Sequence, residues 1–159
     1  METNKQNYEC CPPFDPEPWD DKMVEWHDKI FVKSSVCTFF YMPLNFGPVI
    51  TKLIKAAGDA GCEFDNLCLS DHTSRWNMDI LLAVDKDVPG LKNVRITGKF
   101  YCKVYEGDFK NTDSWCRDYA QRVKAMGRET GKMYMWYTTC PKCAKKYGKN
   151  YTVIVAELL

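Results

Sequence analysis

Long apolar runs, a basic excess and histidine are all scarce in this 159-residue chain, and each shortage removes a class of function. No stretch approaches the roughly 20 consecutive apolar residues that cross a bilayer. The polar opening METNKQNYE also lacks the basic and apolar regions of a secretory signal. A cytoplasmic protein with no membrane partner is expected. Lys and Arg number 22 against 21 Asp and Glu, so little surplus positive charge exists to neutralise phosphates over a large surface. No nucleic-acid partner is expected, and no DNA-reading module accompanies the domain.

Histidine occurs only as His27 and His72. A structural zinc needs four ligands, and Cys140-Pro-Lys-Cys143 supplies two at suitable spacing. The second pair is missing, because no HxxxH occurs and Cys10 and Cys11 are adjacent. A redox motif places its cysteines at a helix start in a thioredoxin-like βαβ unit. The loop CPKCAKKYGKN instead has the lysines, Pro and Gly of a solvated turn. Neither a metal nor a cofactor is expected, although a zinc-stabilised interaction module stands as a third reading. The sequence also shows no assembled nucleophile and base. His72 falls in a predicted hairpin turn, where a solvated role is expected.

What is present is a core. Hydrophobic residues make up 45% of the chain and aromatics 14%, enough for one domain but short for two. Nine cysteines are an odd count. Cys37, Cys68, Cys102 and Cys116 lie in apolar patterns, so free and mostly buried thiols are predicted. Residues 1–27 read as a Pro-rich N-terminal arm, partly disordered, with Trp19 and Trp26 as candidate anchors. Residues 28–159 read as a single domain, its halves being 28–90 and 91–159.

Each half presents strand, helix, strand, strand. In the first, a β-branched and aromatic strand spans 30–42, and a helix starting near Pro48 carries Val49, Leu53 and Ala57 at helical spacing down to Gly61. A hairpin of 67–70 and 78–84 follows across 71–77. In the second, the strand spans 94–106, and a helix from Thr112 places Trp115, Tyr119 and Val123 on one stripe before Gly127. A hairpin of 133–139 and 151–158 ends the chain. A βαββ order occurring twice is a stronger signal than any one element. The segment Asn77–Ala83 even aligns with Asn150–Ala156. The expected fold is α+β: tandem βαββ repeats about a pseudo-twofold axis, an antiparallel sheet with two helices packed on one face, and a crevice where the helices meet it.

The stretch GKFYCKVYEGDF followed by the Trp115 helix, together with RWNMDILLAV in the first half, resembles the gyrase-inhibitor-like (GyrI-like) family over residues 28–158. That family contains ligand domains of multidrug-sensing regulators, stand-alone small-molecule binders and some hydrolases. Members that hold cationic drugs place a Glu where Thr152 stands here. Asp79 takes the equivalent place in the first half, and Glu157 lies farther along the last strand.

Aromatic walls with a few placed polar groups hold flat, weakly polar ligands. Tyr41, Tyr105, Trp115, Tyr134, Trp136, Asp79 and Thr152 are the candidate ligand-binding residues. Strand parity puts Tyr134 and Trp136 on one face, with Met135 and Tyr137 on the other, and does not say which face lines the crevice. The main reading is a stand-alone protein that binds a hydrophobic or aromatic small molecule between its halves. The alternative is a hydrolase of a reactive electrophile such as a cyclopropane-bearing toxin, with Asp79 or Glu157 and a Tyr hydroxyl as acid and base.

Overall fold

The computed structural model describes residues 14–62, 64–138 and 148–159. Residues 1–13 of the arm, Thr139, and the pair Cys140 and Cys143 lie outside them. Seven strands and two long helices follow in order: β1 (Lys22–Phe39), β2 (Met42–Pro43), α1 (Phe46–Asp59), β3 (Phe64–Ser74), β4 (Asn77–Val84), β5 (Lys92–Glu106), a 3-10 turn (Phe109–Asn111), α2 (Thr112–Ala125), β6 (Thr130–Tyr137) and β7 (Tyr151–Leu158). The fold is α+β, and every strand pairing is antiparallel.

Closure is the feature that strand patterns did not reveal. The sheet runs β2-β1-β4-β3-β6-β7-β5, and β5 pairs again with β1, so six strands form a barrel with β2 appended. The length of β1 makes this possible. Its first part, from Lys22 to Lys33, pairs with β5, and Phe31 to Cys37 pairs with β4. The bend falls at a register break between Trp26 and Lys29, where Asp28 has φ 51° and its N–H donates to Thr97 Oγ1 at 2.8 Å. Opposite lies Gly98, at φ 151°. The positive φ favours glycine, and a Cβ there would meet Glu157 Oε2 at 3.0 Å, so that side chain would have to shift.

Alternation sorts the strands' side chains into two layers. All six barrel strands send residues inward, among them Phe31, Leu69, Leu81, Phe100, Trp136 and Val155. Outward, α1 lays Leu53 and Ala57 on Val32, Val36, Met78, Ile80 and Leu82. In the same way α2 lays Trp115, Tyr119 and Val123 on Tyr101, Met135, Ile154 and Ala156. Tyr119 is fully buried, donating to the Tyr101 carbonyl at 2.6 Å and accepting from the Ala156 N–H at 3.0 Å. Both helices stop in the same way. Gly61 and Gly127, at φ 72° and 70°, follow the last turns. The N–H groups of Cys62 and Arg128 reach back to the carbonyls of Ala57 and Val123, a Schellman closure in each case.

Several boundaries move from their expected places. Residues 22–27, read as part of the arm, are the start of β1. That strand ends at Phe39, not at Met42, because Phe40 and Tyr41 turn with positive φ. The predicted turn over 71–77 shrinks to Arg75 and Trp76, since β3 runs through His72 to Ser74. The five described cysteines are free, but of the four expected to be mostly buried only Cys102 is so, Cys68 and Cys116 being half-buried and Cys37 exposed. The end of the arm is bolted down. Asp20 Oδ1 accepts from Lys103 Nζ at 2.7 Å and from the Val104 N–H at 3.2 Å, and Tyr101 Oη donates to Asp21 at 2.5 Å. Phe14 and Trp19 both pack edge-on against Trp136.

Candidate functional site

On the outer face, the strip where β3 meets β6 lies between the two helices. Tyr105, Thr152 and Tyr137 are cross-strand partners on β5, β7 and β6 and so share that face. Tyr137 packs against both helix-covered clusters. Its hydroxyl lies 2.8 Å from His72 Nε2 on β3, joining the two halves across the seam. The walls are aromatic. Tyr41 stands edge-on to the His72 ring at 5.8 Å, and Phe109 stands edge-on to Tyr137 at 5.5 Å. Trp115 stacks on Tyr105 at 5.7 Å, and Tyr105 Oη donates to Asp118 at 2.7 Å. Beyond Phe109 a shallow depression continues along Glu106–Asp108 and Gly148–Asn150.

Two buried polar atoms of the described residues have no hydrogen-bond partner, and both are on this face: His72 Nδ1 and Thr152 Oγ1. Groups of this kind are nearly always satisfied in folded proteins, and leaving one unpaired costs about 1–3 kcal/mol. Burial holds the His72 imidazole below its ordinary range, against the smaller opposing pull of Asp71. The ring is therefore neutral at pH 7 and able to accept a proton. Burial drives the Tyr137 phenol up to about 12, so it keeps its proton. The Cys68 thiol is likewise pushed up to about 12 by burial, so it is not a ready nucleophile.

The seven residues expected to hold a ligand divide between two faces. Tyr41, Tyr105, Trp115 and Thr152 belong to the outer strip. Tyr134 and Trp136 point into the barrel, so the face of β6 that meets the helices carries Met135 and Tyr137 instead. Asp79 shares the inward parity of Leu81 and Ala83. Its carboxylate accepts from Ser35 Oγ at 2.9 Å and Asn77 Nδ2 at 3.1 Å, and Lys33 Nζ is 3.3 Å away. Burial raises this carboxyl, but the Asn77 and Ser35 hydrogen bonds and the Lys33 ammonium together outweigh it and leave it lower than usual. It is a paired anion, the opposite of the raised general acid envisaged from sequence. Among the described residues no group of three or more His, Cys, Asp or Glu side chains is placed to hold a metal.

The protein-family model described as "Bacterial hydrolase" matches residues 1–158. The chain belongs to the bacterial hydrolase family. Among curated proteins none matches. Two solved structures from Listeria innocua, each described as a hydrolase, are similar in fold, with a TM-score of 0.59 and 12% identity over 99% of this chain and 98% of theirs. At that identity the likeness speaks for the fold alone.

Three residues of this strip are the least visible in sequence. His72, expected in a solvated turn, lies on β3, which runs on to Ser74. Tyr137 appeared only as one side of an undecided parity, and Phe109 drew no notice. The period-2 pattern Cys68-Ser70-His72, small or polar and opposite the apolar Leu67-Leu69, was the available signal that β3 continues to His72.

Proposed function

We propose that this protein hydrolyses a hydrophobic, aromatic or strained electrophile bound in the β3–β6 groove, with Tyr137 and His72 as the proton-handling pair. The single observation that carries this reading is the 2.8 Å contact between Tyr137 Oη and His72 Nε2 on an aromatic-walled strip. A water at Tyr137 gives its proton to Oη as Oη passes its own to His72 Nε2, and the hydroxide attacks the electrophilic carbon. The imidazolium then returns its proton through the same hydroxyl to the departing atom. Net, one water is consumed and one bond to carbon is cleaved. Thr152 Oγ1, fully buried and unpartnered, supports a further role as donor to a polar atom of the substrate.

Kinship with the GyrI-like family, and with it the cyclopropane-type substrate class, is part of the same proposal. So is descent from a duplicated unit. Its support is the element order, strand, helix, strand, strand in each half, and the matching pairings β1-β4-β3 and β5-β7-β6.

The test is a panel of aromatic esters, epoxides and cyclopropanes in 18O-labelled water, with product read by mass spectrometry. Label in the product of the native protein, and its loss on both Tyr137→Phe and His72→Gln, is the expected result. Turnover untouched by either substitution would sink the assignment. Tight binding with no turnover would return the groove to ligand capture.

A further inference from the structure

One end of the barrel carries an apolar cluster that the core does not absorb and that shares only Tyr41 with the groove wall. Phe39, Phe40, Tyr41, Met42, Leu44 and Trp76 are each 53–66% exposed, and they sit together where the β1–β2 and β3–β4 turns meet. Phe39, Phe40 and Trp76 contact one another at 4.9–5.7 Å between ring centroids. Exposed apolar patches of such density mark interaction surfaces on soluble domains.

The tip is held in shape. Phe39 pairs with Met42, leaving Phe40 and Tyr41 as a two-residue loop with φ 46° and 71°. Loops of this kind favour Asn-Gly, because a bulky side chain is strained at positive φ. Three hydrogen bonds lace the loop region to the neighbouring turn: Thr38 N–H to the Trp76 carbonyl, Tyr41 N–H to the Arg75 carbonyl, and Thr38 Oγ1 to the same Arg75 carbonyl, at 2.8–3.0 Å. Two aromatics, each more than half exposed, are thus held outward on a loop with positive φ.

The acids on the strand ends flanking the β3–β4 turn are paired, Asp71 with Lys132 and Asp79 with Lys33, while Arg75 in the turn is exposed. Residues 29–58 contain no Asp or Glu, and neither do residues 72–78. Lys52 and Lys55, on the second and third turns of α1, are also exposed. The chain as a whole is close to neutral, at +1, so this is a local segregation. A symmetric dimer would bring the same patch face to face with itself, setting these cations against their own copies. An anionic lipid surface complements them, and Trp, Tyr and Phe side chains favour the headgroup boundary. The chain's lack of a spanning segment bears on crossing a bilayer, not on lying against one.

We propose that the aromatic tip formed by the β1–β2 and β3–β4 turns docks the protein on anionic lipid bilayers. The proposal stands apart from any turnover by His72 and Tyr137. Since Tyr41 belongs to both the tip and the groove wall, docking also brings the groove mouth to the lipid, where hydrophobic molecules concentrate.

Full-length protein mixed with phosphatidylcholine vesicles, with and without phosphatidylserine, tests this by co-sedimentation. Binding is expected only with phosphatidylserine present, and is weakened by salt. Lys52→Gln, Lys55→Gln and Arg75→Gln combined should reduce partitioning on the order of 100-fold, about fivefold per cation. Phe40→Ser with Trp76→Ser should abolish it without changing the circular dichroism spectrum. In the unaltered protein, brominated lipid should quench the fluorescence of Trp76, the most exposed of the tryptophans described. No binding to anionic vesicles, or binding that survives both variants, overturns the proposal. A concentration-dependent dimer that the tip substitutions dissolve also overturns it, giving the surface to a second copy.

Discussion

Replacing Tyr137 with Phe removes one oxygen from the seam and separates a structural from a chemical role for the pair. In the folded protein that oxygen is the hydrogen-bond partner of His72 Nε2 at 2.8 Å, and Nδ1 of the same ring is already unpartnered. The substitution therefore strands the ring's remaining polar atom. An unsatisfied group of this kind costs about 1–3 kcal/mol. The ring is only partly buried, so water can reach some of it, and the lower end, about 1 kcal/mol, is expected. In a chain of this size that lowers the melting temperature by roughly 2–4 °C. Losing a positioned proton carrier costs far more, about 10²–10⁴ in rate, or roughly 3–5 kcal/mol of barrier. The assay is kcat and kcat/KM across pH, with thermal melts in the same buffers. The native acid limb should lie below the ordinary His range, since burial holds His72 down, and Tyr137→Phe should remove that limb. A rate loss under tenfold, or one that tracks the unfolded fraction, would refute the reasoning.

Thr152→Val exchanges a fully buried, unpartnered hydroxyl for a methyl; the urea midpoint should rise by about 1 kcal/mol of stability while substrate affinity falls. A large destabilisation would mean that the hydroxyl has a partner. Tyr119→Phe leaves the Tyr101 carbonyl and the Ala156 N–H without their shared hydroxyl, so about 2–4 kcal/mol of stability should be lost in equilibrium denaturation, with the groove residues untouched. For His72 the folded pKa lies below the unfolded value near 6.5. The unfolded chain then binds more protons in the window between them, and stability is full above the unfolded value and falls on acidification toward the folded one. In His72→Gln that part of the pH dependence should vanish from chemical denaturation curves.

Element identity was legible because it rests on local rules. The α2 stripe of Trp115, Tyr119 and Val123 and the glycine stops at Gly61 and Gly127 are periodicity and backbone conformation, and the structure places them as read. Closure was not legible. It depends on Lys22–Lys33 of β1 finding Lys92–Cys102 of β5, a pairing between segments some 70 residues apart with no local signature. The site suffered from a smaller error with a larger effect. Ending β3 early put His72 in water, and with it went the only imidazole near the groove. Asp79 misled for another reason: an acid between apolar neighbours looks desolvated in sequence, but Ser35, Asn77 and Lys33 converge on it in space.

Closing a six-stranded barrel from two three-stranded halves creates two junctions, and they are unlike. The β1–β5 junction pairs from Lys22 to Lys33 and seals one side. The β3–β6 junction has Ser70 opposite Met135 as a register pair among the described residues, and side chains add to it. Beside that pair, the Tyr137 to His72 hydrogen bond crosses the seam, as does the ion pair of Lys132 with Asp71 at 2.8 Å on the inward face. On the proposed mechanism the pair that handles the proton also fastens this junction. Under that proposal, separation of Tyr137 from His72 and loss of the relay are one event, and a substrate that keeps the two together would stabilise the closed barrel.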